Sequence, residues 1–421
     1  MNIKIRALVL ILVLGGQSLL AQNTFSPYTI NGIGDLSDLS LSNHFAMGEV
    51  GIATPSFYHI NNLNPALLPY NVLTAFQMGV GAETRNVSSQ AQTQKSGTGG
   101  IRYMAFAFPI ITSKWTSSIG FMPYSSVNYD VRATDVVEGT TVPVTFNFTG
   151  IGGITQAYFS NGFALGKGIN FGVKATFLFG SVENSTVTDF GDADFNAPLA
   201  SALFEKTEYR GFKYTTGLSY RKKIADRKHV NLGMVYELAA DLNGTRLMRL
   251  ERQSISGSAF PGDTLINNEK GKFSLPSEIG FGVSYEKLNA YVISLDVKRQ
   301  TWKQFAGLES DGDQFRSSLI IGAGMEFIPD YTSVNSYFKR IRYRFGLNYQ
   351  QVPYVINGKS INDFGINFGW TLPFNTVSGL DFAFKLGQRG TRSDDLIRER
   401  YFKFVIGATI NDKWFQRRKF Y

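Results

Sequence analysis

Apolar residues recur at every second position in several long stretches of the chain. Ile169, Phe171, Val173, Ala175, Phe177 and Phe179 alternate with Asn170, Gly172, Lys174, Thr176 and Gly180, interrupted only by Leu178. The same rhythm runs through 142–148, 364–370, 380–386 and 402–410. A period of two marks a strand with one oily face and one polar face. A sandwich produces it by burying one face against a second sheet. A membrane barrel produces it by turning one face to lipid and the other to a lumen. Three features favour the barrel. Many segments reach ten residues or more, as tilted spanning strands do, where sandwich strands average nearer five or six. The positions between the apolar ones are small or charged, which suits a lumen. Tyr209, Tyr214, Tyr220, Tyr343, Tyr349 and Trp370 fall at segment ends, where interfacial girdles lie.

The alternation predicts strands near 72–85, 100–111, 115–133, 141–161, 169–183, 207–221, 229–252, 276–287, 289–302, 317–328, 340–350, 361–372, 376–388 and 400–411. The expected fold is therefore all-β, a transmembrane antiparallel barrel of about fourteen strands over residues 71–421. Pro123 and Gly150 to Gly153 are the points where merging or splitting would change the count to twelve or sixteen. Short joins at 287–288 and 372–375 read as periplasmic turns. Long joins at 184–206 and 253–275 read as extracellular loops. Residues 22–70 hold Gly32, Gly34, Gly48 and Gly51 among mixed apolar residues without sustained alternation. A barrel this wide is not filled by its wall side chains alone, so this segment is expected inside it as an N-terminal plug. A mobile periplasmic tail is the alternative.

The extreme N-terminus reads as an export signal. Lys4 and Arg6 precede an apolar run at 7–14, and Leu19-Leu20-Ala21 ends in a small residue before Gln22. Eight apolar residues are too few to span a bilayer. Cleavage after Ala21 and residence in the outer membrane are expected. There is no cysteine, and no run of about eighteen apolar residues follows the signal. Aromatic content is 14%, with 35 Phe and 20 Tyr, and 43 Gly stand against 13 Pro, a balance that favours strands and turns over helices. The net charge is +9. Nucleic acid is not the expected partner of an exported chain; a rim facing anionic headgroups is, so membrane lipids are.

Catalytic signatures are missing. There is no Gly-x-Ser-x-Gly elbow and no Gly-x-Gly-x-x-Gly loop. His44, His59 and His229 are the three histidines. None has metal-like company, so no enzyme, cofactor or metal is expected. The lumen-side charges Asp296 and Lys298, Arg342 and Arg344, and Asp381 and Lys385 admit two readings: a polar path for solute, or internal ion pairs that stiffen a filled barrel.

The order of certain motifs resembles the FadL-type family of outer-membrane transporters for long-chain fatty acids and hydrocarbons. Asn61-Asn62-Leu63-Asn64-Pro65-Ala66 looks like the family's Asn-Pro-Ala end of the plug. Leu275-Pro276-Ser277-Glu278 is similar to its Leu-Pro strand start. Asp296 with Trp302 and Phe305 resembles the end of the next strand. The run from Arg342 to Tyr349, with Pro353, resembles a later Arg-x-Gly-x-x-Tyr…Pro pattern. The resemblance implies passive entry of a small, fatty-acid-like hydrophobic molecule. That ligand would be held near Phe45, Met47, Phe57 and Tyr58 and released when Asn64, Pro65 and Ala66 shift. It also implies a lateral exit at a kink in the third strand, which Pro123 would make because proline cannot donate to a ladder; a strand end at Met122 with a turn at Pro123–Ser126 is the alternative. The rival function is a non-transporting barrel, a subunit or scaffold whose partners are other outer-membrane proteins. Beyond Ile410, the aromatic and basic segment 411–421 reads as an anchor at the periplasmic headgroups.

Overall fold

The computed structural model describes residues 25–413, apart from 31, 91, 137–138, 140–142, 190–198, 255–258, 303–314, 357 and 394–395. The expected export signal and most of 411–421, the expected anchor, lie outside these residues.

A short strand, β1 (Asp35–Leu36), precedes seventeen wall segments. On one side run β2 (Thr74–Ser88), β3 (Thr93–Ile111), β4 (Trp115–Pro123), β5 (Ser125–Val136), β6 (Pro143–Gly166), β7 (Ile169–Asp189) and β8 (Leu199–Ala225). The wall continues with β9 (Lys228–Glu237), β10 (Ala240–Ser254), β11 (Ala259–Leu275), β12 (Ser277–Lys287) and β13 (Tyr291–Thr301). It ends with β14 (Ser318–Phe327), β15 (Arg342–Ile356), β16 (Lys359–Pro373), β17 (Gly379–Arg389) and β18 (Arg398–Asp412). Three pairs are single strands with a bend: β4 and β5, β9 and β10, β11 and β12. That leaves fourteen antiparallel strands. β18 pairs with β2 from Asp412↔Thr74 to Arg398↔Ser88 and closes the wall. Closure removes the unpaired edges that lipid cannot satisfy.

Alternation does what the sequence implies. Along β8, Lys213, Thr215 and Ser219 are buried inward, while Phe212, Tyr214, Leu218 and Tyr220 are exposed outward. Short turns join the strands at one end, where β18 also finishes, and this is the periplasmic end.

The expected extracellular loops are corrected in part. β7 continues to Asp189 and β8 begins at Leu199, so much of 184–206 is strand. Nearly all of 253–275 is β11, which pairs with β10 from Gln253↔Ala259 to Ala240↔Leu275. β8 pairs with β10 over Leu199–Arg210 and with β9 below. Asn267, Asn268, Glu269, Lys270 and Lys272 are exposed because both faces of β11 meet water at this height, so no alternation marks it. The result is a one-sided β-blade standing on the β6–β11 side of the barrel. β11 alone has 17 residues, about 55 Å at 3.3 Å per residue.

Candidate functional site: the segment inside the wall and the seam it covers

Residues 26–71 run down the inside of the barrel, and most of their side chains are buried. Leu41, Phe45, Ala46, Val50, Ile52, Ile60, Asn64, Ala66 and Leu68 are at most 1% exposed. What lets this backbone lie directly on the wall is a belt of inward-facing glycines. Gly162, Gly172 and Gly217 are register partners on β6, β7 and β8. Any Cβ added there would stand inside 3.0 Å of Asn64 or Pro65. On the opposite arc Gly322, Gly324 and Gly346 meet Met47 and Gly48 in the same way, and Gly233 and Gly282 meet Ile52 and Ala53. These glycines occupy polar positions of the alternating pattern, where the sequence shows them only as small lumen residues.

Hydrogen bonds fix the register. Asn64 Nδ2 donates to Ile52 O at 2.7 Å and to Leu218 O of the wall at 3.2 Å. Its Oδ1 accepts from Ala66 N at 3.0 Å, capping the 3-10 turn Pro65–Tyr70. Asp296 Oδ2 on β13 accepts from Gly51 N at 2.7 Å and Ile52 N at 2.8 Å. Lys385 Nζ bonds Glu49 at 2.6 Å. Asp381 is held by His59 at 3.2 Å and Arg344 at 3.3 Å. Arg342 pairs with Glu326 at 3.5 Å, so of the lumen charges named from sequence Asp296, Arg342, Arg344, Asp381 and Lys385 enter ion pairs or contacts with the inner segment, while Lys298 lines the mid-lumen chamber. Replacing Asp296 by Ala is expected to cost about 2–3 kcal/mol, because two buried amides lose their acceptor. Asp296→Asn, whose amide oxygen can take the place of Oδ2 and accept from both amides, loses only the charge and is expected to cost less than half of that. Urea unfolding of the barrel in detergent measures both, and equal midpoints for all three proteins would refute the pin.

The structure does not gather the predicted ligand residues into one apolar pocket. Phe45 lies in the lower core cluster under the Arg102 guanidinium, 5.1 Å from its ring centre. Met47, Phe57 and Tyr58 line a periplasmic-mouth cavity of about 60 Å³ together with His44, His59, Glu286, Glu326 and Arg342. Arg342 stacks on Tyr58 at 4.3 Å. Burial, with His59 and Arg344 nearby, pushes the His44 imidazole down to about 3, so it is neutral. A mid-lumen chamber of about 120 Å³ is lined by Asp38, Glu49, Lys174, Glu237, Asp296 and Lys298 among others. A third cavity, between Ile33, Trp302, Phe315 and Tyr354, has a more apolar lining than these two and holds about 30 Å³. A benzene-sized guest needs an apolar space of roughly 150 Å³.

Pro123 ends β4, opposite Thr155. Between Pro123↔Thr155 and Val127↔Gly152, the three residues 124–126 oppose only Gly153 and Ile154. The extra residue bends the wall, and Gly152 and Gly153 take φ of 125° and 144° to permit it. β3 pairs with β4 only from Met104 to Ile111. Above that point β3 and β5 share no ladder among the described residues, and a seam of about 190 Å³ opens between Thr98 and 126–128.

The chain's own N-terminal part covers this seam. β1 pairs with β5 through Asp35↔Ser126 and Leu36↔Ser125. Ser37 N donates to Tyr124 O at 2.8 Å and Ser26 N to Asn128 O at 2.9 Å. Phe25 N donates to Ser96 Oγ of β3 at 3.1 Å. Charged groups bind the cover to the wall. Asp35 bonds Arg389 at 2.6 Å and Tyr354 at 2.6 Å, and Ser26 bonds Glu399 at 2.6 Å. Glu399 in turn pairs with Arg85 at 2.6 Å. The seam's lining, with Asp35, Glu83 and Arg85, is polar.

Several solved outer-membrane barrels share the fold. A deletion mutant of TodX, a monoaromatic hydrocarbon channel, is 15% identical with a TM-score of 0.56, over 88% of this chain and 98% of that one. The monoaromatic hydrocarbon channel CymD is 14% identical with a TM-score of 0.54, over 91% and 99%. A FadL homologue of Pseudomonas aeruginosa is 12% identical with a TM-score of 0.54, over 89% and 98%. At these identities the likeness establishes the fold of an outer-membrane barrel of the FadL type, as the motif order suggested. No curated protein matches the sequence. One family model, BamG, matches residues 2–421, essentially the whole length, and the chain belongs to the BamG family.

Proposed function

We propose that this chain is a sealed outer-membrane barrel that works through its outside, as a structural subunit of a larger outer-membrane assembly. The observation that carries the reading is the belt of wall glycines in backbone contact with the inner segment; the lumen cavities lined by the described residues, of about 60, 30 and 120 Å³, fall short of a benzene-sized apolar space. A barrel filled in this way offers partners its wall and its blade. The blade adds positive support. It stands on one side only, and it exposes Leu250, Phe260 and Leu265 above the lipid belt. Single-sided relief with apolar side chains suits another protein better than it suits solvent.

Extraction in mild detergent followed by native mass spectrometry tests the proposal. A protein partner at fixed stoichiometry is expected, and it should be lost when 245–270 is replaced by a short turn. A monomer carrying a stoichiometric lipid-like ligand would overturn the reading.

Passive transport of a small hydrophobic molecule keeps one specific observation on its side. The seam between β3 and β5 lies at Pro123, where a lateral exit was expected. On that reading the residues 25–37 must leave the seam during each passage. Pro123→Val, by restoring an amide to the wall, would then slow uptake of a hydrophobic probe severalfold in cells with equal amounts of inserted barrel. Unchanged uptake rejects the exit.

A further inference from the structure

The periplasmic rim carries a cation at nearly every turn. Lys114 lies in the β3–β4 turn, Lys167 between β6 and β7, and Arg227 between β8 and β9. Lys287 stands at the β12–β13 turn, Arg340 between β14 and β15, and Lys413 just after β18. All but Lys287, which is half-buried, are exposed. The exposed carboxylates at this end are Asp226, Asp330 and Asp412 among the described residues. The opposite end mixes both signs, with Asp130, Arg132, Glu208, Arg210, Glu269 and Lys270 all exposed. The one periplasmic turn without a charge, between β16 and β17, presents Phe374 at 60% exposure.

These cations adjoin the oily belt directly. Ile110 and Ile111 precede Lys114, Leu165 precedes Lys167, Ile224 precedes Arg227 and Phe338 precedes Arg340, and all five are exposed. A long basic side chain at the edge of an apolar belt lays its stem on the hydrocarbon and its charge in the headgroup layer. Arg227 and Arg340 are also stacked on Tyr331 and Tyr337, at 5.7 Å and 5.3 Å, which holds their guanidinium groups at the rim.

We propose that this rim is a ring-shaped receptor for the anionic headgroups of the periplasmic leaflet, which fixes how deep the barrel sits. The distribution selects the occupant. A folded acidic partner docks on one arc, whereas these charges go around the circumference, and only a leaflet surrounds a barrel on all sides. The phosphate of an anionic phospholipid supplies the complementary charge, and the attraction acts within a Debye length of the surface. The inference is independent of the scaffold reading, since it holds whether or not the lumen conducts.

The full chain in nanodiscs of mixed phosphatidylcholine and phosphatidylglycerol, followed by native mass spectrometry of the lipids it retains, provides the test. The wild type is expected to retain phosphatidylglycerol in roughly tenfold preference. The quadruple variant Lys114→Glu, Lys167→Glu, Arg227→Glu and Arg340→Glu should lose that preference. A control with four reversals at the far end, Lys95→Glu, Arg132→Glu, Lys270→Glu and Lys272→Glu, should keep it. Gel mobility without heating confirms that each barrel is folded, and if the quadruple variant does not fold, the four single reversals are compared instead, each lowering the preference. No preference in the wild type overturns the proposal, as does equal loss in the rim and control variants. Retention of an acidic protein that a reversal at a single turn abolishes also overturns it.

Discussion

Replacing Gly172 and Gly346 together by valine is expected to leave the barrel inserted, to unseat the segment inside it, and to lower its stability by about 2–6 kcal/mol. Gly172 lies in the middle of the glycine row on β6, β7 and β8, and a Cβ there would run into the carbonyl carbon of Pro65 and the amide of Ala66. Gly346 on β15 faces Met47 and Gly48 in the same way. Backbone cannot rotate aside as a side chain does, so the strain goes into the seat itself. Overpacking of this kind costs about 1–3 kcal/mol per site, and two sites on opposite arcs should add. Three readouts separate an unseated segment from a general loss of fold. Gel mobility of the unheated barrel should persist, protease should begin to cut within 25–70, and ion conductance should appear in planar bilayers. Gly100→Val is the control, because a Cβ there meets nothing within 4 Å. A double variant that stays protease-resistant and non-conducting would mean that the belt does not seal the lumen.

The wall was readable in the sequence because lipid and lumen impose opposite demands on alternate residues. All fourteen strands fall where the period of two puts them, including the β9–β10 pair merged as 229–252. The reading weakened where that contrast ends. Above the lipid belt both faces of β11 meet water, so a ladder there has no apolar signature, and 253–275 read as a loop. Proline was informative for the opposite reason. Pro123 removes a donor in a segment otherwise suited to a strand, and the wall bends there.

The candidate site was less legible. Asn64, Pro65 and Ala66 could be picked out as a unit, but not the three glycines that receive them, because Gly162, Gly172 and Gly217 follow one another at separations of 10 and 45 residues and meet only through the register of β6, β7 and β8. Phe45, Met47, Phe57 and Tyr58 were expected to hold a hydrophobic guest because they are the apolar cluster in the segment that the resemblance makes a plug. In the structure Phe45 serves the core, and the other three line a small polar mouth. Arg85, Arg389 and Glu399, which hold the seam cover, carried no signal at all. They stand on β2, β17 and β18, and only barrel closure brings β2 beside β18.

Arg389→Met should release that cover and destabilise the protein by about 3–5 kcal/mol at neutral pH, the range for breaking a buried ion pair from one side. Arg389 contacts Asp35 at 2.6 Å, Asp363 at 3.1 Å and Glu399 at 3.9 Å. Without it, those carboxylates and Glu83 share Arg85 and Lys403, and negative charge predominates in a closed space. The pH dependence follows from Asp35, which belongs to the cover. Burial alone would raise its carboxyl, but Arg389 and Arg85 outweigh burial and hold it well below the usual range. A carboxylate with a depressed folded value contributes stability that is fully present above the unfolded value of about 4 and is lost as pH falls below that towards the folded value. In the variant the main counter-charge is gone, burial dominates, and the folded value moves up. Protonation then relieves the variant between pH 7 and about 4, while Asp35 of the wild type stays ionised and keeps its contribution in that range. The gap between the two proteins should therefore narrow as pH falls from 7 towards about 4. Adding Asp35→Asn to Arg389→Met should recover part of the loss at neutral pH, since it removes one of the unpaired carboxylates. Urea midpoints for the four members of this cycle, read with protease cutting within 25–37, decide the matter. A gap that stays constant from pH 7 to pH 4, or a double variant weaker than Arg389→Met alone, would show that the cluster does not hold the seam shut by charge.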